Sequence, residues 1–134
     1  MIIDSTVLID VLRDRTGRAK RKLDGVLRDN PYFLTRFTQF EVLRGAIDEG
    51  QWARLEAFLT GESYVEATAE TWAAAARIQF DLKRKGRVVR SGIDCCIAQL
   101  AIERGMAIIH NDRDFETIAS VRDLRQVRIA LKAG

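Results

Sequence analysis

The apolar runs of this chain are too short to be helices, and the stretches between them have helical spacing. Residues 1–3, 32–35, 64–66, 107–109 and 127–131 read as strands. Between them the spacing predicts helices over 6–13, 18–28, 39–48, 51–59, 69–85, 92–104 and 115–119. Short strands that alternate with helices select a mostly parallel sheet covered on both faces. The expected fold class is therefore α/β, a three-layer α/β/α arrangement of Rossmann-like kind. Within the helices, Trp72, Ala76 and Phe80 mark one apolar stripe, ended by Gly86. Ile93, Ile97, Leu100 and Ala101 mark another, stopped at Gly105.

With 134 residues, one proline and neither a linker nor a repeat, the chain is expected to form a single domain, 1–134. No apolar run reaches the ~20 residues that a membrane helix needs, and none has the layout of a signal peptide. A cytoplasmic protein without a membrane partner is expected. Cys95 and Cys96 are adjacent and lack C-x-x-C spacing, so they suit neither a disulfide framework nor a zinc site and read as small core residues. The net charge of +3 is only a weak pointer to nucleic acid.

In open parallel sheets the working crevice lies beyond the carboxyl ends of the strands, where strand order reverses. Carboxylates recur at such junctions. Asp4 follows the first strand, and Asp112, with Asp114 close behind, follows the strand at 107–109. Glu41 and Asp94 fall in the first turns of predicted helices. Each has an ordinary structural account. Asp4 and Asp112 suit N-caps, and Thr38-x-x-Glu41 and Ser91-x-x-Asp94 suit capping boxes. An acid in a first turn also gains ~0.3–1 kcal/mol from the macrodipole. Collectively they read differently. If the strands before Asp4 and Asp112 are parallel neighbours, both acids emerge side by side, and the Glu41 and Asp94 helices open at the same end. Converging carboxylates repel one another and resist burial unless a counter-charge joins them. A hard cation such as Mg²⁺ or Mn²⁺, which takes oxygen ligands in octahedral geometry, is the usual resolution. Spacing alone leaves both accounts open.

Four motifs in order carry a family resemblance: Asp4-Ser5-Thr6-Val7-Leu8-Ile9-Asp10; Glu41 with Gly45; Ile93-Asp94 with Ile97-Ala98; and Asn111-Asp112-Arg113-Asp114-Phe115. Together they resemble the PIN-domain ribonucleases, and within them the VapC-type toxins of bacterial type II toxin–antitoxin pairs. The resemblance implies a PIN-like fold. It also implies an acidic quartet of Asp4, Glu41, Asp94 and Asp112 around Mg²⁺ or Mn²⁺, with Asp114 as a further metal-side acid. Thr6 would steer the Asp4 carboxylate. A homodimer and a cognate antitoxin protein are implied as partners, and RNA as substrate. Two departures touch fine geometry: His110 stands where relatives often carry Thr, and Ser5-Thr6 replaces the commoner Thr-Ser or Thr-Asn.

A metal-independent ribonuclease commonly needs an acid and a base, often two histidines. This chain has one, His110, which reads better as a polar strand end. Metal-assisted hydrolysis needs carboxylates alone. The expected assignment has Asp4, Asp94 and Asp112 holding the metal while Glu41 orients the attacking water. Products would carry a 5′-phosphate and a 3′-hydroxyl. Two basic clusters could grip RNA phosphates: one with Arg13 and Arg15, the other with Lys85, Arg87 and Arg90. Each also reads as a solvated face or a helix-end complement. The main alternative is a non-catalytic PIN-like module that binds RNA or protein, its acids serving as caps. A phosphotransferase or nucleotide-binding protein fits less well, because G-x-x-x-x-G-K-[ST] and G-x-G-x-x-G are both missing.

Overall fold

A computed structural model describes residues 1–131. In chain order the elements are β1 (Ile2–Ile3), α1 (Ser5–Arg13), α2 (Arg18–Leu27), β2 (Leu34–Thr35), α3 (Arg36–Arg44) and α4 (Glu49–Thr60). They continue with β3 (Tyr64–Val65), α5 (Thr71–Arg84), α6 (Gly92–Arg104), β4 (Ile108–His110), α7 (Arg113–Ala119) and β5 (Gln126–Arg128). The strands are two or three residues long and pair in parallel. β1 lies beside β4, with Ile2 opposite Ile108, and β4 lies beside β5. β2 pairs with β3, and the Ile2–Phe33 bridge joins that pair to β1. The order across the molecule is therefore β3-β2-β1-β4-β5. Strand order reverses at β1 and β4, so their carboxyl ends frame the crevice of an open parallel sheet.

Neighbouring strand residues point to opposite faces, and the core divides accordingly. Ile2 and Ile108 pack with Ile78 and Leu82 of α5, Ile97 and Leu100 of α6, and Phe115 and Ile118 of α7. Ile3 and Ile109 pack with Val7 and Leu8 of α1, Leu23 and Leu27 of α2, Val42 of α3 and Leu59 of α4. Each such side chain contributes ~1.5–3 kcal/mol when fully buried. This is the three-layer α/β/α arrangement, built on strands barely longer than one dipeptide.

Several expectations need correction. The third helix begins at Arg36, not at 39, because Thr35 ends β2 and its side chain accepts the Thr38 N–H at 3.3 Å. Glu41 consequently sits in the second turn, and Thr38 is not its cap. Trp72, Ala76 and Phe80 are exposed; the buried face of α5 is Thr71, Ala75, Ile78 and Leu82. Those four follow the 3.6-residue period more closely than the aromatic stripe does. Ile93, at the first turn of α6, is 42% exposed rather than core. The last helix starts at Arg113, two residues before the predicted 115, because Asp112 caps it. Cys95 is buried as expected, whereas Cys96 is partly exposed. Among the described residues, no helix is long and apolar enough to cross a membrane.

Candidate metal centre

Strand geometry delivers two acids to one edge. Asp4 leaves β1 in an extended conformation and caps α1, and Asp112 does the same between β4 and α7. Capping uses only part of each carboxylate. Asp4 Oδ2 accepts from the Thr6 hydroxyl at 2.6 Å and from the Thr6 N–H at 3.2 Å. Thr6 Oγ1 in turn accepts the Asn111 N–H at 3.0 Å, so one hydroxyl ties the β1 junction to the β4 junction. Asp112 Oδ1 accepts the Asp114 N–H at 2.9 Å.

Asp94 arrives from the first turn of α6, whose cap is Ser91; the Ser91 hydroxyl accepts the Ile93 N–H at 3.2 Å. Asp94, Asp112 and Asp114 each present an oxygen, and these oxygens all lie within 4.8 Å of one another. The electrostatic consequence is large. Burial first, then the charges of Asp4, Asp112 and Asp114, push the Asp94 carboxyl up to about 8. Asp4, 2% exposed, is also raised by burial, against the pull of its Thr6 hydrogen bonds. Positive charge comes from Arg90, whose Nη2 lies 3.4 Å from Asp112 Oδ1 and whose Nε lies 3.9 Å from Asp114 Oδ2. Its backbone N–H also donates to Asp114 Oδ2 at 3.0 Å. The Arg90 side chain is 70% exposed, so solvent screens that compensation.

Glu41 enters from α3. Its Oε2 accepts from the Ser5 hydroxyl at 3.1 Å, which anchors it to the Asp4 side of the crevice. Asp4, Glu41, Asp94 and Asp112 line one cavity of about 940 Å³. The close cluster is Asp94, Asp112 and Asp114, with Asp4 and Glu41 on the wall of the cavity that Asp94 and Asp112 also line. The donor set is entirely carboxylate oxygen, crowded enough to hold a proton at neutral pH, and it fits a hard divalent cation.

The basic candidates divide. Arg90 reaches the cluster. Arg87 donates to Ser120 instead, and Lys85 caps the end of α5. Arg13 and Arg15 are exposed, Arg13 beside a second pocket that Glu41 also lines. Sequence reasoning missed the other cavity walls: Arg36, Phe37, Phe40 and Arg44 from α3, and Trp72 from α5. A signal was available. Phe37, Glu41 and Arg44 stand at i, i+4 and i+7, one face of a helix, so whatever faces Glu41 faces them too. Phe37 and Trp72 meet edge to face with centroids 6.2 Å apart.

Comparisons with known proteins bear on the family of the chain. The chain is 40% identical over 86 residues to VapC ribonuclease Mb1587 of Mycobacterium bovis. That match covers 63% of this chain and 64% of the relative, so just under two thirds of the relative's length is spanned. Ribonuclease VapC51 of Mycobacterium tuberculosis is 29% identical over 120 residues, covering 90% of this chain and 85% of that protein. Among solved structures, VapBC2 from Rickettsia felis, bound to a DNA fragment from its promoter, superposes with a TM-score of 0.75. It shares 16% identity, over 96% of this chain and 98% of that one, which speaks for a common fold. The PIN domain family model matches residues 1–121, and the chain belongs to the PIN domain family.

Proposed function

We propose that this chain is a divalent-metal-dependent endoribonuclease and the toxin of a toxin–antitoxin pair. One observation carries the reading: three carboxylate oxygens, from Asp94, Asp112 and Asp114, within 4.8 Å of one another at the sheet's switch point. VapC ribonucleases among its relatives supply the substrate class. Asp4, Asp94 and Asp112 would hold Mg²⁺ or Mn²⁺, with Asp114 beside them. When bound, the ion would supply Lewis acidity, lowering the pKa of water so that hydroxide is available near neutral pH and offsetting charge on the scissile phosphate. Glu41, braced by Ser5, offers its second oxygen to orient the attacking water and accept its proton. Thr6 keeps Asp4 turned inward. Arg90, largely exposed beside Asp112 and Asp114, would also offer its guanidinium to the RNA backbone. Arg13, Arg15, Lys85 and Arg87, which do not line the carboxylate cavity, would meet phosphates farther along the RNA. The products would be 5′-phosphate and 3′-hydroxyl ends.

The alternative, a non-catalytic binding module, draws on the caps that Asp4 and Asp112 do make. It leaves unexplained why Asp94 meets Asp112 and Asp114 within 4.8 Å, since Ser91 already caps α6 and Asp112 caps α7. VapBC assemblies among the structural neighbours support a protein antitoxin as partner, and a homodimer and a cytoplasmic location go with that reading. The experiment is end mapping of total RNA after brief induction, wild type against Asp4→Ala. New 5′-phosphate ends with the wild type alone are expected; cyclic phosphate ends, or equal cutting by both, overturn the proposal.

A further inference from the structure

His110 is fully buried at the end of β4, one residue before the loop that presents Asp112. Its ring has two polar contacts. Nδ1 lies 3.0 Å from the Asp112 backbone nitrogen, which can only donate. Nδ1 must therefore be unprotonated, and in a neutral ring the proton sits on Nε2. Nε2 faces Gln126 Oε1 on β5 at 2.7 Å, an acceptor suited to that proton. Phe115 packs against the ring, with centroids 4.8 Å apart. The preceding amide, Asn111 N–H, is held by Thr6. The two amides that lead into the Asp112 carboxylate are thus gripped by one side chain each, Thr6 from α1 and His110 from β4.

We infer that His110 is a positioning residue: its Nδ1 fixes the Asp112 backbone, and Gln126 holds the ring in the tautomer that permits this. The inference rests on the metal-binding reading above, and it gives the chain's one histidine a part that is neither acid–base nor simple packing. Groups that orient metal ligands typically matter ~10–100-fold in metal affinity.

The chain contains a single histidine, so selective ¹⁵N-histidine labelling reports this ring without ambiguity. The metal-free protein is expected to show the Nε2–H tautomer; a proton on Nδ1 overturns the inference. Mn²⁺ titration calorimetry then compares two variants. Asparagine places an oxygen where Nδ1 was, whereas glutamine places its polar group where Nε2 was. His110→Asn should bind Mn²⁺ within about three-fold of wild type, and His110→Gln about 10–100-fold more weakly. A packing role predicts the reverse, since asparagine leaves the larger cavity. Equal affinities for the two variants, or the reverse order, refute the positioning role. If the wild type binds no Mn²⁺, the metal reading itself fails, and the labelling experiment still decides the His110–Asp112 contact.

Discussion

Asp14 and Asp94 are the same residue in two settings, and the settings drive them in opposite directions. Asp14 closes the turn after α1. It accepts the Ala19 N–H at 2.8 Å, the Thr16 N–H at 3.0 Å and the Thr16 hydroxyl at 2.7 Å, and these donors hold its carboxyl down to about 2. Asp94 stands among carboxylates in a half-buried crevice and is pushed up to about 8. Both acids adjoin helix ends, so position along the chain does not separate them. Burial does, together with the count of donors against like charges. An acid that finishes its hydrogen bonds within its own turn stabilises that turn. One crowded by other acids carries unspent negative potential, and that potential is what a cation meets.

The widest separation should appear in activity. Asp94→Asn is expected to reduce RNA cleavage in Mn²⁺ by more than about 100-fold, since even groups behind the ligands matter ~10–100-fold. Asp14→Asn should leave the initial rate unchanged. Equal losses in the two variants would erase the distinction between the two settings.

Thr6 sharpens it at the next level. Thr6→Val removes the hydroxyl that joins Asp4 to the Asn111 amide, and Mn²⁺ affinity should fall ~10–100-fold by calorimetry. Thr6→Ser, which keeps the hydroxyl, should restore it.

Stability against pH reads the same contrast with opposite signs. Between pH 3.8 and about 8 the folded metal-free chain keeps a proton on Asp94 that the unfolded chain has released. Stability therefore declines as the pH rises through that window. Asp14 works the other way: its contribution is present above 3.8 and is lost as the pH falls toward about 2. Thermal unfolding in a metal chelator should show Asp94→Asn more stable than wild type near neutral pH, while added Mn²⁺ stabilises only the wild type. A chain stabilised by rising pH across the upper window would contradict the crowding. The smallest effect belongs to a cap outside the cluster. Thr35→Ala should cost about 1 kcal/mol in denaturant unfolding while Mn²⁺ affinity holds.

Much of this was legible before any coordinates. The short apolar runs and the helical stretches between them required a parallel sheet, because strands of two or three residues cannot be satisfied singly. Asp4 and Asp112 were legible for a related reason: each directly ends a strand, and strand ends at a switch point face one crevice. Glu41 lines the cavity although its helix was placed three residues late, since an error along a helix axis does not remove a residue from the chain's order of motifs. The aromatic stripe Trp72–Ala76–Phe80 failed because apolar character does not say which face is inward. Ala75 and Ile78 are smaller and fit the close approach of α5 to α6, leaving Trp72 to wall the cavity.

Sequence by itself determined the layered α/β/α plan and the order of the acids along it, since these depend on local period and residue type. Only the tertiary structure decided that Asp114 joins Asp94 and Asp112 within 4.8 Å, that Arg90 is the cluster's counter-charge, and that His110 and Thr6 hold the loop amides. Those outcomes depend on distances between segments up to about a hundred residues apart. Such distances follow from how layers pack, and neither composition nor spacing encodes them.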